Sequence, residues 1–220
     1  MSLELDHLVV ASRTLEEGAA WLEARLGVAP AGGGRHALMG THNRLLSLGP
    51  EAYLEIIAID PQASAPGRPR WYSLDDPAMR ARIEKAPGLA HWVVRTDDIA
   101  RDHAVLGERA GEILEVTRGD LRWRIGVPSD GSLPDGGAFP TLIEWPGGRH
   151  PAPTLPDAGC RLDWLAIRSP RAEAIESTLG TLGFVKPPGL RFARDAGTGL
   201  SAVLRGPLGM VILPELAAAG

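Results

Sequence analysis

The chain has 220 residues, 44% of them hydrophobic and 23% charged, with a formal net charge of −4. That length admits one large domain or two to three small fused modules. The acidic balance, with arginines scattered among acids, gives no basic face for a nucleic-acid backbone, and the longest apolar stretches, Leu45–Leu48 and Ile56–Ile59, are too short to span a membrane.

In chain order, Leu5-Asp6-His7-Leu8-Val9-Val10 reads as a buried strand. A helix follows, with Thr14 as its cap, Glu16 and Glu17 in its first turn and Gly27 as its stop. Asn43–Leu48 and Tyr53–Ile59 flank a Gly49-Pro50 turn and predict a hairpin. Residues 61–87 form a Pro-rich connector with a short helix beginning at Asp75-Asp76-Pro77. The opening pattern then returns. Leu89-Ala90-His91-Trp92-Val93-Val94 is followed by a helix from Thr96-Asp97-Asp98, then by strands at Leu121–Val127 and Thr141–Trp145. A third version begins at Leu162-Asp163-Trp164-Leu165-Ala166-Ile167, with a helix from Ser169-Pro170 to Gly183 and three short strands after it.

A period of this kind marks a repeated unit. The fold class is therefore α+β: βαβββ modules at residues 1–60 and 88–150, and a degenerate third at 160–214. The third module's open sheet needs a partner, so it is expected to pack on the first two or on a second chain, which makes a homodimer one expectation. The lone Cys160 needs no oxidising compartment, and the start carries acids where a secretion signal carries bases. The expected location is the cytoplasm.

His7 and His91 hold the same place in their modules, and Glu55 and Glu144 each lie in a last strand. Each module thus offers one imidazole and one carboxylate, a donor set that suits Zn²⁺, Ni²⁺, Fe²⁺ or Mn²⁺. A histidine in an apolar strand is more often a satisfied core residue, but a carboxylate within Leu-Glu-Ile-Ile needs a partner or a metal. The third module has Trp164 and Met210 at the nearest equivalent positions. That contrast favours a functional role for the four polar residues. Asn43, on the first hairpin, is a candidate for substrate contact. Arg122 and Arg124 alternate on one strand and suit a substrate carboxylate, although a solvated face with Trp123 turned inward explains them slightly better. Trp71, Trp92 and Trp145 suit an apolar pocket or the core, and His150 reads as a surface loop residue.

The motifs Leu-Asp-His-Leu-Val-Val, Gly-Thr-His-Asn-Arg-Leu-Leu, Tyr-Leu-Glu-Ile-Ile, Gly-Leu-Ala-His-Trp and Leu-Ile-Glu-Trp resemble those of the bacterial glyoxalase-like domain proteins of the vicinal-oxygen-chelate superfamily, over about residues 3–151. The resemblance implies a cupped half-barrel sheet with helices outside. It also implies a divalent metal held by His7, Glu55, His91 and Glu144, and lyase or isomerase chemistry on a small metabolite with neighbouring oxygens. One carboxylate, Glu55 or Glu144, would shuttle the proton. An extradiol-type dioxygenase is a further expectation, although its usual metal set is two histidines and one carboxylate. The expectation of a different class is a metal-free binding protein, whose Glu residues pair with His or Arg.

Overall fold

A computed structural model describes residues 2–216. Two four-stranded units join into one sheet. The first unit contains β1 (Glu4–Ala11), α1 (Leu15–Leu26), β2 (Ala31–His36), β3 (Thr41–Ser47) and β4 (Tyr53–Ile59). The connector carries α2 (Pro77–Lys85). The second unit contains β5 (Gly88–Arg95), α3 (Ile99–Leu106), β6 (Glu112–Arg118), β7 (Leu121–Val127) and β8 (Thr141–Glu144). The strand order is β2-β3-β4-β1-β5-β8-β7-β6. Within each unit the first and last strands are parallel, β1 with β4 and β5 with β8, while β1 and β5 join the units antiparallel. The sheet curls until its edge strands β2 and β6 touch, so the inner face becomes a cup.

Helix ends follow the sequence closely. The Thr14 hydroxyl accepts the Glu17 N–H at 3.1 Å, and Gly27 closes α1 at φ 75°, a conformation that glycine adopts without steric cost. Asp76 and Asp98 cap α2 and α3 through their carboxylates. β2 and β6 were not visible in the sequence. β2 is built on Gly32-Gly33-Gly34, and a Cβ on Gly33 would lie 2.0 Å from the Asn43 carbonyl oxygen. Only a glycine strand can run that close to β3.

Both parent strands carry a bulge at matching places. The β1–β5 register skips Asp6 just before His7, and skips Ala90 just before His91. A bulge turns its extra residue out of the strict in-out alternation.

The third segment contains β9 (Arg161–Ser169), α4 (Ala172–Thr181), β10 (Leu190–Arg194), β11 (Gly199–Gly206) and β12 (Gly209–Leu213). It has the βαβββ order of elements but pairs them as β10-β9-β11-β12, so its last strand does not lie beside its first. Trp164 and Met210 are therefore not in the module places of His7 and Glu55. They stand on the outer side of this sheet, 37% and 72% exposed. The inner side packs on the first two units, as one of the two expectations held: Leu165, Ile167, Leu200, Ala202 and Leu204 share one core with Leu8, Val10, Trp92 and Val94. Trp92 meets Phe184 and Phe192 edge-on, with centroids 6.0 Å away in both cases. The eight-stranded sheet is thus covered outside by α1, α3 and the third segment. Inside, it is partly filled by the connector, whose Trp71, Tyr72, Leu74, Met79 and Ile83 join Val9, Val93, Trp123 and Ile143. Among the described residues no helix is long and apolar enough to cross a membrane.

Candidate functional site

His7 on β1 and Glu55 on β4 both face the cup. Their strands run parallel, with Val9 opposite Glu55, and His7 Nε2 lies 3.6 Å from a Glu55 carboxylate oxygen. The bulge brings Asp6 to the same side. Its buried carboxylate takes His7 Nδ1 at 2.5 Å, the Trp145 indole N–H at 2.9 Å and His150 Nε2 at 3.0 Å. Burial opposes a charge on Asp6, but the hydrogen bonds from His150 and His7 outweigh it and hold the acid well below the usual carboxylate range. Burial likewise opposes charge on His7. Asp6 and Glu55 overcome it and raise the imidazole to about 9. For Glu55 burial is again the largest influence, and His7, together with the Asn43 amide, outweighs it and lowers the acid to about 2. The result is a buried carboxylate–imidazolium–carboxylate chain, Asp6–His7–Glu55.

A second layer orients Glu55. The Asn43 amide N–H donates to Glu55 at 2.5 Å, and the Asn43 carbonyl oxygen accepts from Arg118 Nη1 at 2.7 Å and from the Gly34 N–H at 3.0 Å. Arg118 ends β6 and reaches across the seam between the sheet edges. His36 lies beside them, with Nδ1 3.0 Å from the Thr41 hydroxyl; burial lowers it to about 4, so it is neutral at pH 7. Tyr53 stacks on His7 at 4.6 Å. Trp71, Trp123 and Trp145 wall a narrow cavity over His7 and Glu55, in which the centre of a water molecule has about 20 Å³ of room.

Asn43 therefore lines the cup, as the sequence suggested. The other expected site residues are placed differently. His91 faces the cup, but its Nε2 lies 3.0 Å from the Thr141 hydroxyl and 3.2 Å from the Thr141 N–H, and its Nδ1 is buried without a hydrogen-bond partner among the described residues. Burial lowers it to about 3. Glu144 is on the other face of the sheet. It shares the side of Leu142, pairs with Arg124 at 2.5 Å and accepts the Ile99 N–H at the start of α3 at 2.9 Å. The physical reason is register. Val9 faces Glu55 and the equivalent Val93 faces Thr141, so Thr141 holds the place of Glu55 and Glu144, three residues later, has the opposite parity. Arg122 is exposed and Arg124 is committed to Glu144, while Trp123 turns inward. Trp92 lies on the outer face, its indole N–H on the Ala138 carbonyl at 3.2 Å. His150, read as a surface residue, is drawn in by Asp6.

A metal held by His7, Glu55, His91 and Glu144 together does not fit this arrangement, because one of the four donors is across the sheet. Among the described residues no three His, Cys, Asp or Glu side chains converge in a metal-binding group. The donors that do converge are His7 Nε2 and a Glu55 oxygen. Sequence reasoning missed Asp6, His36, Arg118 and the connector's Tyr72. Only Asp6 had a signal, an acid inside an apolar strand.

A larger groove, about 1070 Å³, runs past Arg109, Glu112, Asp130 and Asp135. It is open to solvent and contains none of the His7 cluster.

Comparisons with known proteins agree with the fold. A hypothetical protein from Staphylococcus aureus aligns with 91% of this chain and 81% of its own, at 15% identity and a TM-score of 0.55. Methylmalonyl-CoA epimerase from Streptomyces coelicolor, in complex with 2-nitronate-propionyl-CoA, aligns over 65% of this chain and 97% of its own, at 18% identity and a TM-score of 0.43. The Mycobacterium tuberculosis methylmalonyl-CoA epimerase aligns over 64% and 85%, at 18% identity and a TM-score of 0.41. A search of curated proteins found no match. The profile described as "Glyoxalase-like domain" matches residues 5–183, which takes in both halves of the cup and the third segment through α4. The chain belongs to the glyoxalase-like domain family.

Proposed function

We propose that this protein is a glyoxalase-like enzyme of the isomerase or lyase kind, which moves a proton on a small metabolite with neighbouring oxygens, and that His7 and Glu55 are the working pair. One observation carries the reading: a buried imidazole, anchored by Asp6, faces a buried carboxylate across 3.6 Å at the end of an aromatic cavity. A carbon acid placed in that gap meets a base and a cation together. Glu55 receives the proton from carbon, and His7 Nε2–H stands against the oxygen on which negative charge develops. Entry of the substrate separates Glu55 from His7, removes the contact that depresses its basicity and so prepares it as a base. Asp6 keeps the imidazole oriented and charged, and Asn43 fixes the carboxylate.

The cavity as it stands holds about one water. Substrate entry therefore requires a wall to move. The Trp71–Ser73 turn is the wall with stored strain: Tyr72 and Ser73 have φ of 58° and 57°, each costing on the order of 1 kcal/mol for a residue with a side chain.

The second reading is a metal-free small-molecule-binding protein. Glu55 facing His7 and Glu144 paired with Arg124 favour it, because both acids have protein partners. A single experiment separates the two. The protein, stripped with a chelator, is incubated in D₂O with glycolate, pyruvate and hydroxyacetone, and deuterium at carbon is followed by NMR. Exchange that Glu55→Gln abolishes is the expected result. Binding without exchange selects the binding-protein reading, and exchange that returns only with a stoichiometric divalent metal overturns the assignment to His7 and Glu55.

A further inference from the structure

One buried donor at the cavity has no acceptor among the described residues, and a second beside it has donors beyond the one it uses. The Trp71 indole N–H is buried, on a residue only 3% exposed, and has no hydrogen-bond partner among the described residues. Arg118 places a guanidinium in the same cavity and commits one nitrogen, Nη1, to Asn43. Indole and guanidinium groups donate and never accept. What is missing from their side of the cavity is therefore an acceptor, and beside an arginine an anionic one. The two residues flank His36: its ring lies 5.1 Å from Trp71 and 5.8 Å from Trp123, whose face in turn lies 6.0 Å from the Arg118 guanidinium carbon. His36 is neutral or cationic, never anionic, so it does not supply the anion. Glu55 is already held by Asn43 and His7. The flat indole walls favour a small, flat ligand, for which the cavity, with room for about one water, has to open.

We propose that the cavity takes a small 2-oxo or 2-hydroxy carboxylate, its carboxylate bound between Arg118 and the Trp71 N–H and its second oxygen directed to His7. This rests on the reading of the cup as the working site and adds the substrate class. The neighbouring oxygens then have separate receivers. Arg118 and Trp71 hold the charged group, and the His7–Glu55 gap receives the other oxygen with the carbon that gives up its proton, C3 of a 2-oxo acid such as pyruvate or C2 of a 2-hydroxy acid such as glycolate.

The test compares pyruvate with pyruvamide, which keeps the shape and removes the charge. Tryptophan fluorescence and calorimetry report affinity for the intact protein and for Arg118→Met, Arg118→Lys and Trp71→Phe. The acid is expected to bind about tenfold or more tighter than the amide, as charge-assisted bonds to a planar guanidinium imply. Arg118→Met removes the preference, and Arg118→Lys restores part of it. Trp71→Phe, which keeps the ring and deletes only the donor, weakens the acid several-fold. It decides the matter if Arg118→Met, by freeing Asn43, fails to fold. Equal affinity for acid and amide in the unaltered protein, or full affinity for the acid in Trp71→Phe, overturns the proposal. An acid preference without deuterium exchange keeps the carboxylate site and removes the proton-transfer reading, whereas exchange without the preference does the reverse.

Discussion

Thr141 occupies in the second half of the cup the register position that Glu55 occupies in the first. Each lies on the last strand of its unit, opposite the valine two residues after the histidine. Each also faces that histidine, Glu55 at 3.6 Å from His7 and Thr141 at 3.0 Å from His91. The two halves therefore share a frame and differ in charge. One holds an ion pair, and the other a neutral imidazole bonded to a hydroxyl.

Glu144 and Glu55 should respond differently to the same substitution. Glu144→Gln weakens the pair with Arg124 and the cap on α3, and should lower stability by about 1 kcal/mol while leaving ligand affinity unchanged. Glu55→Gln should lower proton exchange by roughly a hundredfold or more, the scale of a lost general base. Urea melts and NMR exchange rates on both variants check this.

Acid should destabilise the fold well before its carboxylates titrate. His36 and His91 are lowered to about 4 and about 3 in the folded chain. The unfolded chain therefore binds their protons first as the pH falls below about 6.5, and stability drops between there and those values by up to about 1.4 kcal/mol per pH unit per group. His7 acts in the opposite direction. Raised to about 9, it contributes stability that is complete below about 6.5 and is lost as the pH rises toward 9. Glu55, lowered to about 2, contributes above its ordinary value and loses that contribution as the pH falls toward 2. Urea titrations at pH 4.5, 7 and 9 should therefore show a maximum near neutrality, and His91→Gln should flatten the acid side.

The third segment should be indispensable to the first two units. Trp92 is fully buried against Phe184 and Phe192, so Trp92→Ala should cost about 3–5 kcal/mol. A chain ending after residue 158 would bare Trp92 and its neighbours on the outer face of the sheet, a patch of the kind that drives association. Size-exclusion chromatography should show that fragment aggregated and the full chain discrete.

The connector turn should respond to relief of strain. Ser73→Gly replaces a side chain at φ 57° with the residue that tolerates it. The lost strain is offset in part by the greater freedom of glycine in the unfolded chain. Stability should change by less than about 1 kcal/mol in either direction, and ligand association, read by stopped-flow fluorescence, should keep its rate within about threefold if the turn is only a scaffold. A larger change in rate than in stability identifies the turn as the moving wall.

Much of this was legible in the sequence, and the limits have physical causes. Helix caps at Thr14, Asp76 and Asp98, the stop at Gly27 and the paired strands carrying His7 and His91 follow from local chemistry. Glu55 and Asn43 fall on the inner face because their strands alternate cleanly. Glu144 did not, because spacing along the chain resembles register without fixing it, and a shift of three residues changes the face. β2 was hidden by its glycines, which carry no apolar pattern. Arg118 and Trp71 come from an edge strand and a connector, so their meeting with Asn43 and His36 depends on the closure of the whole sheet.

The bulge at Asp6 implies a vulnerability of a different sort from any substitution. A strand without it would send neighbouring residues to opposite faces; the extra residue lets one strand deliver both a carboxylate and an imidazole to the cup. The pairing of Asp6 with His7 is thus written in the length of β1 as much as in its letters. Loss of a single codon there would turn either the acid or the histidine away from the cavity, even with every remaining side chain intact.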